Sequence, residues 1–346
     1  MTLSDNVDII EPTLKQLTDF AKANPYGTLF HTGDMVNVYL DSIDMEIITL
    51  AAINSKTNEI LSTLIMPLRR IPKMPKKLFF GNSRVSMPLF FPDNKESIDS
   101  ARNLLQEYEK VAKKNVVYSK IRMSFDITKS NCDIWAMNDY NFDRFDNFVI
   151  TLKNGEEEVI KGISKKIMRR IRQGDSKYEF KSYLVKNSNE VPKIHDLIKS
   201  TFTRSNLGIP DISHINAIFF HLVKKGLANI HIVEYQNKAV SGMITLLFKN
   251  ILYGWYLGSS YEIKNIPSSE YLAWSVFKWG LDNNYDYFDW GGNGDPKSYL
   301  GFREFKRKFG GDTIDYGIYT KIHKTSYYKL IEAGKKIMKY GIKKGD

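Results

Sequence analysis

Three β-type runs stand almost back to back in the second half of this chain, Ala228 to Tyr235, Ala239 to Phe248 and Ile251 to Leu257. The pairs Gln236-Asn237 and Lys249-Asn250 between them leave room for tight turns alone, and such short connections join antiparallel neighbours, so the middle of the sheet is a meander. Ahead of it, Phe148 to Leu152 predicts a strand, Glu156 to Gln173 a helix, Tyr178 to Val185 a strand, and Val191 to Arg204 and Ser213 to Lys225 two more helices. Behind it, a helix from Ser268 to Asn283 leads into a strand that ends at Asp289. This order builds an α/β (α+β) unit, a mixed and mostly antiparallel sheet with helices on its faces.

The first half has the same ingredients. A helix from Leu14 to Ala23 precedes strands at Glu46 to Ile53 and Ile60 to Leu68, and a connection holding Pro67, Pro72 and Pro75 leads to an apolar stretch at Leu78 to Phe80. A helix from Glu96 to Lys113 follows, with Ile98, Ala101, Leu104, Leu105, Tyr108, Val111 and Ala112 recurring every three to four residues, and then a strand from Val116 to Phe125. At 346 residues and 42% hydrophobic content the chain can bury two ordinary cores. The pattern turns polar between Tyr140 and Asp146, so the expected units are 1–145 and 146–322, the first completed by the C-terminal helix 323–346.

Charge and cysteine usage bear on partners and compartment. A formal charge of +11 concentrates polyanions near the surface, although the abundance of Lys, Asn and Ile also looks like genome composition. The single cysteine, Cys132, excludes an internal disulfide and reads as an incidental thiol in a reducing cytoplasm. There is no basic n-region with an apolar h-region, nor an apolar run of about 18 residues, so the expectation is a cytoplasmic protein. From Tyr327 onward, Leu330, Ile331, Ile337, Met338 and Ile342 alternate at helical spacing with Lys329, Lys335, Lys336, Lys339, Lys343 and Lys344. That basic amphipathic helix suits peripheral contact with the inner face of a membrane, contact with a tRNA backbone, or packing of its stripe on the first unit. The six histidines form no HExxH pattern, so no metal is expected, and there is no Walker loop or GxGxxG.

The chemistry concentrates in Tyr285 to Gly311, YDYFDWGGNGDPKSYLGFREFKRKFGG. A strand ends at Asp289-Trp290, breaks at Gly291-Gly292, and a polar turn leads to a short helix carrying Arg303, Lys306, Arg307 and Lys308 before a second Gly-Gly pair. A carboxylate, a backbone free to take positive φ and a basic helix would place an anion receptor beside an acid. The helix from Glu156 to Gln173 carries acids at its positive end and Lys165 to Arg172 toward its negative end, as the macrodipole of one continuous helix prefers.

In this order, several segments resemble the FemAB-type aminoacyl and peptidyl transferases, whose two tandem domains each have the GNAT acyltransferase fold. They are Phe30-His31-Thr32, FVITL followed by ISKKIMRRIRQ, Thr201 to Arg204, WYLGSS followed by IPSSEYLAWSVFKWG, and FDWGG with GFREFKRKFGG. The resemblance spans most of residues 25 to 320. It implies two tandem GNAT-like domains and an aminoacyl transfer from aminoacyl-tRNA to an amine of a nucleotide- or lipid-linked cell-wall peptide precursor, with no cofactor. Phe305-Lys306 matches the family's Phe-Lys dyad, whose lysine stabilises charge at the reacting ester, and Arg204 matches a phosphate-contacting arginine. Tyr256 matches an active-site tyrosine, while Arg303 and His31 fall among the substrate-binding positions.

Each of these residues also has a plainer role open to it. Lys306 can be part of a solvated helix face, Arg204 a cation at a helix C-terminus, and Tyr256 one of two alternating core residues with Trp255. Asp289 can orient Lys306, accept a proton from the amine, or cap the turn that follows it. Two departures concern the acceptor: His31 stands where the family has a polar amide, and Asn37 near where it has a lysine. Residues 206 to 226 hold one ordinary helix and no coiled-coil arm. The competing reading is a CoA-dependent N-acyltransferase acting on a cell-envelope or polysaccharide precursor, but YEIKNIPSSEYLAW lacks the glycines that cradle a CoA pyrophosphate, and Pro267 removes a donor. A noncatalytic tRNA- or envelope-binding module is the third reading.

Overall fold

Each half of the chain builds its own sheet. The computed structural model describes residues 6–71, 78–83, 87–122, 139–205, 207–263, 265–292 and 301–342. They divide into two units, 1–144 with 316–346, and 145–315. In the first, β1 (Val7–Ile10) leads to α1 (Leu14–Ala23), where Thr13 and Gln16 cap each other's backbone N–H groups, and to α2 (Gly33–Leu40). Strands β2 (Met45–Asn54), β3 (Ile60–Arg70), β4 (Phe79–Ser83) and β5 (Leu89–Phe90) precede α3 (Lys95–Asn115), β6 (Val116–Arg122) and β7 (Asn141–Asp143). The stripe on α3 packs as its spacing requires: Ala101, Leu104, Leu105, Tyr108 and Ala112 are fully buried, and Val111 is left exposed. Phe125 and Cys132 lie outside the described residues.

In the second unit β8 (Asp146–Thr151) is followed by α4 (Glu156–Gly162), α5 (Lys165–Ser176), β9 (Lys181–Leu184), α6 (Val191–Arg204) and α7 (Ile212–His221). The meander β10 (Ala228–Tyr235), β11 (Lys238–Phe248) and β12 (Ile251–Ser259) comes next, then α8 (Ser268–Asp282), β13 (Tyr287–Asp289), α9 (Gly301–Arg307) and β14 (Asp312–Asp315). Gln236 and Asn237 both take positive φ, the geometry of a tight hairpin turn. The strand order is β14-β8-β13-β12-β11-β10-β9, and β12 with β13, joined across α8, is the parallel pair. In the first sheet β4 with β6, joined across α3, is parallel among otherwise antiparallel pairs. Both sheets are therefore mixed and mostly antiparallel, with helices on them.

Where one helix was expected from Glu156 to Gln173, there are two. The break falls at Ile163-Ser164, because the Ser164 N–H donates to the carbonyl of Lys308 at 2.9 Å, a partner far away in sequence. The break reverses an electrostatic expectation: Lys165 and Lys166 now open α5, at the positive end of its dipole, and no acid stands in its first turn.

The chain returns to the first unit earlier than the expected 323. β15 (Ile318–Ile322) pairs with β6 and β7, and the N–H groups of His323 and Lys324 both donate to the Val117 carbonyl. In α10 (Thr325–Ile342), Tyr328 and Ile331 pack against Leu78, Val117 and Tyr118, whereas Leu330 is exposed. The lysines from Lys335 to Lys344 lie outside the described side chains. Among the described residues no helix is long and apolar enough to cross a membrane.

The sheet of the second unit is closed on one face by α6, whose backbone lies flush on β12. A Cβ at Gly258 would stand 2.4 Å from the Leu197 carbonyl carbon and 2.5 Å from the Ile198 nitrogen. Gly258→Ala is accordingly expected to destabilise the protein by about 1–3 kcal/mol, read as a lower denaturant midpoint at unchanged slope. Gly301→Ala, where an added Cβ meets nothing within 4 Å, is the control and is expected to stay within about 0.5 kcal/mol of wild type.

Candidate active site

The site is built where β13 stops. Asp289, its last residue, pairs with Tyr253 of β12 and Val149 of β8. β12 runs on to Ser259, so from Gly254 onward its β13 side has no strand partner among the described residues and the sheet opens. Gly291 and Gly292 then turn the chain at φ of 74° and 103°, a region glycine enters without steric cost. Gly291 also has no room for a side chain, since a Cβ there would lie 2.4 Å from the Gly254 carbonyl oxygen. Two side chains hold this turn. Asp289 Oδ1 accepts from the Gly291 N–H at 2.6 Å and from Asn147 Nδ2 at 2.5 Å, and Asn147 Oδ1 accepts from the Gly292 N–H at 2.7 Å.

α9 is docked onto the turn by its own side chains. Phe305 packs on Trp290 and Phe309, with ring centroids 6.0 and 5.2 Å apart, in an aromatic cluster that includes Phe277 and Phe288. The next residue, Lys306, donates from Nζ to the carbonyls of Trp290 at 2.8 Å and Gly292 at 2.7 Å, and Nζ lies 5.7 Å from the centre of the Trp290 ring. Arg303 donates to the buried carboxylate of Asp146 on β8. Burial pushes the Asp146 carboxyl up from its ordinary value, and the Arg303 guanidinium pulls it back. Arg307 pairs with Glu304 at 2.6 Å. All three cations of α9 therefore serve partners within the protein. A lysine ammonium fixed at the open end of a strand can meet an oxyanion without reorganising, which is what electrostatic stabilisation of acyl transfer requires.

The structure brings Lys306, Phe305, Arg303 and Asp289 together around the β13 end. Within that group Phe305 anchors the helix, Arg303 forms the ion pair to β8, and Asp289 caps the Gly291 turn. Tyr256 and Arg204 form a second group on β12 and α6. A bulge in the β11–β12 pairing, where Ile244 faces Tyr256 and Thr245 faces Gly254, brings the rings of Trp255 and Tyr256 within 5.0 Å, both edge-on to His214. This replaces the alternation expected of a regular strand. Arg204 donates to the hydroxyls of Ser200 at 2.9 Å and Ser259 at 3.0 Å, and its guanidinium lies 5.4 Å from the exposed Tyr261 ring. His31 belongs to the first unit; it is 1% exposed, and its Nδ1 accepts from the Thr28 N–H at 3.1 Å, closing a single helical turn. Among the described residues no group of three or more His, Cys, Asp or Glu is placed to hold a metal.

Asp146 and Asn147 were missed from sequence, where the expected strand begins at Phe148, two residues after β8 does. Asn147 is fully buried and reaches Lys306 through a single residue, Gly292, whose N–H it holds and whose carbonyl holds the lysine. Asn147→Ala is expected to cost about 1–3 kcal/mol of stability, from the buried partners it strands. It is also expected to make Lys306 several-fold more reactive toward an amine-modifying reagent, followed by mass spectrometry of the peptide. A stability loss with unchanged Lys306 reactivity would reduce Asn147 to a packing role.

Residues 162–307 match the family described as the acetyltransferase (GNAT) domain. Among solved structures, the crystal structure of FemX matches at a TM-score of 0.68 and 14% identity, covering 94% of this chain and 100% of that one. A tandem GNAT protein from the clavulanic acid biosynthesis pathway matches at a TM-score of 0.58 and 9% identity, covering 92% and 98%. A structure assigned as the C-terminal domain of a lysylphosphatidylglycerol synthetase of Agrobacterium fabrum matches at 0.57 and 10% identity, covering 93% and 95%. A search of curated protein sequences gave no match. Residues 162–307, which hold β12, β13 and α9, are thus a GNAT-type acetyltransferase domain, and the chain as a whole, in its two units, shares the fold of FemX along almost its entire length.

Proposed function

We propose that the protein transfers an aminoacyl group from aminoacyl-tRNA to an amine on a cell-wall peptide precursor. The observation that carries this reading is the Lys306 ammonium pinned by two carbonyls at the opening between β12 and β13. The ester of an aminoacyl-tRNA is already activated, so the amine attacks its carbonyl carbon directly. A C–N bond forms, the C–O bond to the terminal ribose breaks, and the proton released by the amine ends on the departing ribose oxygen. Lys306 would face the negative charge on the carbonyl oxygen during attack. Arg204, exposed and oriented by Ser200 and Ser259, suits the diphosphate of a nucleotide- or lipid-linked acceptor. The lysylphosphatidylglycerol synthetase name carried by one structural neighbour makes a lipid-borne acceptor worth including in the assay.

The start of α8 supports this donor over CoA. Residues 261 to 267 contain no glycine, and Pro267, at the N-cap, brings no N–H and no side-chain cap. Glu270 stands in the first turn, held by Arg170 at 2.6 Å, so a carboxylate already answers the positive pole that a CoA pyrophosphate would use.

Incubation of the pure protein with charged tRNA and with candidate nucleotide- and lipid-linked muropeptides is expected to give transfer, and Lys306→Ala to slow it roughly a hundredfold to a thousandfold. Transfer from acetyl-CoA together with none from charged tRNA would replace the donor. A Lys306→Ala rate equal to wild type would remove the lysine from the chemistry.

A further inference from the structure

α5 is amphipathic in an unusual sense: its inner side is apolar and its outer side is almost purely cationic. Ile167, Ile171 and Gly174 are buried in the second unit, with Tyr271 of α8 against Gly174. Lys165, Lys166, Arg169 and Arg172 are exposed on the far side. At about 100° per residue, Lys165, Arg169 and Arg172 fall within roughly 60° of one another, with Lys166 beside them. None of the four has an ion pair, hydrogen-bonded side chain or ring partner among the described residues. Two of the three acids of α4 are engaged elsewhere, Glu156 with Lys278 at 2.6 Å and Glu158 with Lys161 at 2.5 Å, the third, Glu157, is exposed and forms no ion pair with the stripe, and Arg170, at the edge of the stripe, is taken by Glu270.

Local helix electrostatics does not account for these charges. Lys165 and Lys166 stand at the end of α5 where the peptide dipoles disfavour cations. Four like charges within little more than two turns also repel one another. A stripe that costs the helix energy in isolation is stabilised by a partner carrying regularly spaced negative charge. The apolar side of α5 is spent on the core, so the helix has nothing to insert among acyl chains, and an interfacial membrane helix needs that face free. A nucleic-acid backbone asks only for cations at intervals along a groove or strand.

We infer that the outer face of α5 is a docking surface for the phosphate backbone of the RNA donor, contacting it through Lys165, Lys166, Arg169 and Arg172. The inference rests on the aminoacyl-tRNA reading of function and adds to it where the body of the RNA lies. Recognition there reads charge and not sequence, so one surface serves the backbone of any tRNA presented to it.

The test compares the full-length wild type with a chain carrying Lys165→Gln, Lys166→Gln, Arg169→Gln and Arg172→Gln, and with the milder Lys165→Gln/Arg169→Gln pair. Uncharged tRNA is titrated by fluorescence anisotropy across a potassium chloride series, and transfer is measured from a short aminoacylated CA dinucleotide, which has no backbone to reach α5. Each lost phosphate contact lowers the slope of log affinity against log salt by about 0.7–0.9, so the expected reduction is about 3 for the fourfold variant and about 1.5 for the pair. Transfer from the dinucleotide is expected to stay at the wild-type rate. A fourfold variant that binds tRNA with the wild-type slope overturns the inference and leaves the functional reading standing. Loss of binding to phosphatidylglycerol vesicles with tRNA binding intact overturns it in favour of a membrane. A wild type that transfers from neither the dinucleotide nor charged tRNA removes the functional reading itself, whatever α5 binds.

Discussion

Gly292 is held on both sides at once, its N–H by Asn147 and its carbonyl by Lys306, and the candidate site depends on that arrangement. The backbone reaches it through two successive positive φ angles, which glycine alone adopts cheaply. Asn147 is placed by β8, whose neighbour β13 brings Asp289 opposite Val149, so the clamp is a product of strand register. A slip of one residue would turn Asn147 to the other face and release both bonds. The lysine is thus fixed by sheet pairing and not by its own short helix, which is too brief to be stable alone.

The aromatic cluster explains how a seven-residue helix can carry a positioned cation. Trp290 is buried among Phe277, Phe288, Phe305 and Phe309, so the residue whose carbonyl receives Lys306 is also the one that locks β13 into the core. Phe305 and Lys306 are adjacent in sequence and act on the same tryptophan, one through its ring and one through its carbonyl. A Phe-Lys pair is then a structural unit, in which packing by the first residue sets the direction of the second.

Periodicity and turn chemistry made most of the elements legible. α6 spans Val191–Arg204 as its pattern requires, and the meander turns fall at Gln236-Asn237 and at Lys249. What escaped depends on contacts distant in sequence. The break before α5 is made by a bond from Ser164 to the Lys308 carbonyl, and the bulge at Trp255 is a property of a strand pair rather than of a strand. Asn147 and Asp146 were left out of the expected strand because their partners, Asp289, Gly292 and Arg303, lie more than 140 residues away. The candidate cations were visible as residue types. Which of them are committed to the fold was not, because a charge and its partner need share no local pattern.

That distinction reorganises the electrostatics of the second unit. On α9, Arg303, Lys306 and Arg307 are drawn into bonds with Asp146, two carbonyls and Glu304, and removing the carboxylate from the buried Arg303–Asp146 pair would strand a charge in the interior. Those cations cannot reach far toward a large polyanion without breaking the site. On α5 the cations stand outside, and the dipole of their own helix works against two of them. Under the proposed function one cation serves a reacting carbonyl and several a phosphate backbone, and the two sets have to be kept apart, since mobile charges near the carbonyl would bring competing anions into it. Internal hydrogen bonds hold the first set still, and solvent exposure leaves the second free to follow the shape of what it meets.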